Sequence, residues 1–163
     1  MLPSKLKAGM RWISGRGALV VVPRIETAHW GGLHAPELRQ DFTTAIQALD
    51  ESGLRLLLSD GFDTTWWPLP TLAGGMLVRW LWADDPHDVV AAVQSVTESE
   101  WVEEEFTLLA RDGCLSLFEA TDGTQPQEEM AIFVVPGEYR ISTANVQPDE
   151  DTCLLIHRFL LVH

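Results

Sequence analysis

The stretch Gly75 to Trp82, Gly-Met-Leu-Val-Arg-Trp-Leu-Trp, constrains the fold more than any other. Side chains alternate along a strand, so Met76, Val78, Trp80 and Trp82 share one face and Leu77, Arg79 and Leu81 the other. Both faces are apolar, which is the pattern of a central strand covered on both sides. Arg79 is the exception. A guanidinium in a covered strand must be satisfied, because an isolated buried charge costs several kcal/mol. Carboxylates of Asp60, Asp63 or Glu119 are the expected partners of Arg79 and of Arg158, which is embedded in the last apolar run.

Short apolar runs set off by turn signals surround this stretch. Residues 1–10 read as a lead-in segment, and residues 11–163 as one domain with one core. Strands are expected at Arg11 to Ile13, Ala18 to Val22, Leu54 to Ser59 and Thr64 to Leu69. Pro68 and Pro70 confine the last of these to a sheet edge. Pro36 to Leu49 reads as a first helix, with Leu38, Phe42, Ala45, Ile46 and Leu49 on one side. A second helix opens at Asp85, its cap, with Pro86 at its first position and Val89, Val90, Ala92, Val93 and Val96 buried. Then come strands at Phe106 to Ala110, Cys114 to Ala120, Ala131 to Val135, Tyr139 to Val146 and Thr152 to Val162. The expected class is α+β, a mainly antiparallel β-sheet with two helices in a single domain.

Charge is spread unevenly. Residues 1–60 hold seven Lys/Arg against six Asp/Glu; residues 61–163 hold four against eighteen, and the net charge is −13. That field repels nucleic acid and anionic membrane and attracts basic partners. No run of 18 apolar residues and no signal-like leader is present, so a cytoplasmic protein is expected. Cys114 and Cys153 sit in strand-like runs and read as buried thiols, with a disulfide between neighbouring strands as the alternative.

Signatures of chemistry are sparse. The histidines lack zinc-site spacing, Gly15-Arg16-Gly17 lacks the helix of a phosphate loop, and no nucleophile motif appears. No cofactor is expected. Asp60 and Asp63, beside Trp66 and Trp67, are the one carboxylate pair a hydrolase could use, and they read equally as turn residues. The acidic clusters say more. Glu98, Glu100, Glu103, Glu104 and Glu105 surround Trp101, and Asp149, Glu150 and Asp151 form a hairpin tip. Carboxylates around an aromatic anchor suit an electrostatically steered protein interface; they also suit a strand edge made acidic against edge pairing.

The ordered landmarks are Trp12 with a glycine turn leading to Ala18-Leu19-Val20-Val21-Val22-Pro23, then Trp30-Gly31, the Thr64 to Pro68 segment and Val78-Arg79-Trp80. Trp101, Pro136-Gly137-Glu138-Tyr139-Arg140, Asp149 to Thr152 and Leu154-Leu155-Ile156-His157-Arg158 follow. In order and spacing the chain resembles the immunity protein 21 family of bacterial polymorphic toxin systems, from about Arg11 to Val162. The resemblance implies a non-catalytic protein without cofactor that binds and neutralises a cognate toxin domain by occlusion. The partner would be a basic protein such as a nuclease. Glu103, Glu104, Glu105, Asp149, Glu150 and Asp151 are the candidate contacts, with Trp66, Trp67 or Trp101 as anchor. A regulatory or nuclease-inhibiting binding protein without a linked toxin is the alternative.

Overall fold

The computed structural model describes residues 11–14, 17–30, 45–49, 53–120 and 128–162. Ten strands and one α-helix fall within them: β1 (Leu19–Pro23), β2 (Ile46–Ala48), β3 (Leu56–Leu58), β4 (Asp63–Pro68), β5 (Gly74–Trp82), α1 (Pro86–Ser95), β6 (Val102–Ala110), β7 (Cys114–Glu119), β8 (Glu129–Phe133), β9 (Gly137–Asp149) and β10 (Thr152–Leu161). Short 3₁₀ helices occupy Arg24–His29 and Glu98–Glu100.

The strands form two five-stranded antiparallel sheets, ordered β2-β3-β1-β7-β8 and β4-β5-β10-β9-β6. Their inner faces share one core. Leu19, Val21, Leu56, Leu58, Leu115 and Leu117 of the first sheet meet Leu77, Leu108, Tyr139, Ile141 and Phe159 of the second. This is sandwich packing, in which each strand gives alternate residues to the interior. The outer face of the second sheet has its own cover. Val89, Ala92 and Val93 of α1 lie over Ala144, Val146, Leu154 and Ile156. Strand β5 is therefore covered on both sides, Leu77 facing the sandwich core and Val78 the helix.

The helix starts where its sequence directs. Asp85 is extended, its carboxylate accepts from His87 N at 2.8 Å, and Pro86 fills the first turn, where a missing N–H costs nothing.

The expected first helix is corrected in part. Residues 36–44 lie outside the described residues, but Ile46–Ala48 is strand, paired with Leu56–Leu58. One α-helix, rather than two, stands among the described residues. The reason is tertiary. Ala45 O accepts Ser59 N at 3.0 Å and Arg79 Nη1 at 3.3 Å, which ties the segment to β3 and β5. Apolar residues three or four apart over so short a window suit either state, and pairing decides. The expected strand at Arg11 to Ile13 reduces to a bridge between Ile13 and Thr64. Elsewhere the strand assignments hold within a few residues, and β4 is a sheet edge as its prolines require.

Candidate functional site

Arg79 is fully buried and makes no carboxylate ion pair among the described residues. Its guanidinium donates to the backbone carbonyls of Ala45 (3.3 Å), Ser59 and Asp60 (2.6 Å) and lies 5.6 Å from the centre of the Phe62 ring. Burial lowers its pKa to about 10, and the nearby Asp60 charge acts in the opposite sense. The expected acid partner is thus replaced by three carbonyls, and the planar fork staples the start of β2 to the turn after β3. Asp60 and Asp63 themselves stand exposed, Asp60 with a positive φ of 63°. Arg158 projects from the opposite face of the same sheet. It pairs with Glu98 through bonds of 2.9 and 3.4 Å and stacks 4.3 Å from the centre of the Trp101 ring. The two arginines share no partner, and neither uses Asp63 or Glu119.

A second polar group lies inside the sandwich beside Arg79. Thr143 Oγ1 donates to Glu104 Oε1 at 2.8 Å and sits 2.9 Å from His157 Nδ1. A hydroxyl has one proton to give. With that proton on Glu104, His157 must donate from Nδ1, leaving Nε2 bare and without a partner. Desolvation first, and then the Arg79 charge, lower the His157 pKa to about 3. The histidine is a neutral link from the interior to a surface carboxylate.

That carboxylate opens onto the edge of the second sheet. In β6, Glu103 pairs with Ser142 and Thr107 with Arg140, so three residues, Glu104, Glu105 and Phe106, oppose the single residue Ile141. Alternation along β6 turns Glu104 inward to Thr143 and leaves Glu105 exposed. Glu103 reaches Arg140 at 3.0 Å, both side chains largely in solvent. Among the described residues no cation pairs with Glu104 or Glu105. Across the mouth of the sandwich, Ile46, Gln47 and Ala48 of β2 face residues 103–106 over a groove of about 560 Å³.

Asp149, Glu150 and Asp151 are exposed at the β9–β10 hairpin tip, where Glu150 O accepts from Trp82 Nε1 at 3.1 Å. Seven residue steps along β9 lead from Ser142, the partner of Glu103, to Asp149, which is about 23 Å of strand. The two acidic clusters are therefore separate surfaces. The tryptophans divide as well. Trp66 packs against the sandwich core, 5.8 Å from the Phe159 ring. Trp67 and Trp101 are half-buried on the helix side, with Trp12 and Trp80, which meet edge to face at 5.5 Å. Sequence reasoning missed Thr143 and His157. Their signal was parity: polar residues at inward positions of strands that are otherwise apolar inward.

Cys114 and Cys153 are free thiols, one in each sheet. No group of three metal-capable side chains converges among the described residues, and no described helix is long and apolar enough to cross a membrane.

Fold and surface of the described residues together define a small acidic β-sandwich backed by one helix, with carboxylates along an open edge. The chain belongs to the immunity protein 21 family, whose profile matches residues 11–152. It is therefore an immunity protein of a toxin system. Neither a curated protein nor a solved structure matches it.

Proposed function

We propose that the protein binds and neutralises a cognate polymorphic toxin domain in the cytoplasm, one to one, by covering the toxin's working surface and without catalysis. The observation that carries this reading, given the family, is the row of carboxylates on β6. Glu104 and Glu105 stand at an open sheet edge without a cation among the described residues, in a chain of net charge −13. Unpaired charge at a surface that excludes its own kind favours a basic partner and speeds its encounter. Asp149, Glu150 and Asp151 extend the same field from the far end of β9 and steer the approach. Trp67 and Trp101, half-buried beside the helix, are available at the margin; Trp66 supports the interior.

The test is calorimetry with the C-terminal domain of the toxin encoded beside this gene, at two salt concentrations. Tight binding that weakens with salt is expected. Tight binding indifferent to salt would remove the electrostatic part and move the contact to the tryptophans. Failure to bind a folded domain would end the immunity reading for that pair.

A further inference from the structure

Strand β6 is bonded along only part of its outer side. Leu109 N donates to Gly53 O at 2.8 Å. Residues 102–106 have no backbone partner beyond β9 among the described residues. The facing strand β2 is likewise the edge of its own sheet. The groove between them is a seam where two edges, each open among the described residues, come together. An open edge normally invites a copy of itself. Here it cannot: two such edges would bring Glu103, Glu104 and Glu105 against their own kind, and like charges directly opposite destabilise a strand pair.

We infer that this seam receives an extended basic segment of the toxin, which adds as a strand to β6 and sends a Lys or Arg side chain inward to Glu104. The inference rests on the immunity reading and locates its contact. Three features carry it. Alternation along β6 aims one carboxylate inward and the next outward, so a bound strand meets acid on both of its alternating faces. Glu104 is held by Thr143, itself held by the buried His157, so it is fixed before binding and loses little freedom on it. Val102, 68% exposed, offers an apolar contact at the start of the open stretch. The groove thus has polar depth, apolar margin and a single sign of charge.

Amide hydrogen exchange on the full chain, with and without the same toxin domain, tests this directly. Residues 102–106 and 46–48 should exchange at least tenfold more slowly in the complex. Glu104→Gln keeps the acceptor for Thr143 and removes the charge; it should weaken binding by tenfold or more, chiefly through faster dissociation. Tight binding with protection confined elsewhere, such as the hairpin tip, would overturn the inference and leave the immunity reading intact. Protection that grows with concentration of the chain alone would assign the edge to a second copy and overturn it too. No binding by a folded toxin domain would overturn both.

Discussion

His157 makes stability depend on pH in a calculable way. The imidazole is fully buried, donates from Nδ1 to Thr143 and has no partner for Nε2. Protonation would place an unsatisfied N–H and a second charge beside Arg79. The folded pKa is about 3 against an ordinary value of 6.5. A depressed folded value means that the stabilisation is complete above pH 6.5 and is lost progressively as pH falls toward 3. Between pH 7 and pH 5 the unfolded chain takes up about 0.7 of a proton that the folded chain refuses. Linkage converts this to about 2 kcal/mol, or roughly 4–8 °C in Tm for a domain of this size. The comparison should be made with His157→Gln, which can hydrogen-bond but not titrate. Every other group then cancels between the two proteins. Urea unfolding at pH 7, 6 and 5 should show the native chain losing about 2 kcal/mol more than the variant. Parallel losses would refute the argument and mean that the imidazole is hydrated or paired in solution.

Other expectations are simpler. Gly74→Ala should cost about 4 kcal/mol in urea unfolding, because an added Cβ would stand 1.9 Å from Phe159 O at a φ of +137°. Asp85→Ala removes the carboxylate that holds His87 N and should cost about 1 kcal/mol, with the far-ultraviolet spectrum retained at low temperature. Burial raises the Cys153 pKa, so iodoacetamide should label the half-buried Cys114 first and Cys153 only after denaturant is added; equal rates in the folded state would contradict the packing of β10.

Much of the fold is written locally. Alternation and paired turn signals locate β5, β7, β9 and β10, and the cap at Asp85 locates α1. What is not local is not legible. Ala45 to Leu49 carries helix-like spacing and becomes strand because Arg79 and Ser59 reach its carbonyl from residues far along the chain. The same holds for Arg79 itself. Composition requires that its charge be satisfied but cannot distinguish a carboxylate from three carbonyls. The split into two sheets is also hidden, since the same strand pattern suits one sheet or two. At the candidate site, the acidic residues of β6 are plain in the sequence. Their inequality is not: only the register with β9 shows that Glu104 lies on the inner side with Thr143 while Glu103, on the outer side, pairs with Arg140.

Strand β10 is the middle strand of its sheet, and it follows both of its neighbours in the chain. During synthesis β5 and β9 emerge with a gap between them that β10, made after both, closes. Until then Leu77, Val78, Ile141 and Ala144 have no common floor, and His157 has not arrived to hold Thr143. Assembly of the edge at β6 is therefore coupled to the arrival of β10. A product that stops before β10 lacks the strand that joins β5 to β9, so the second sheet forms as a whole or not at all.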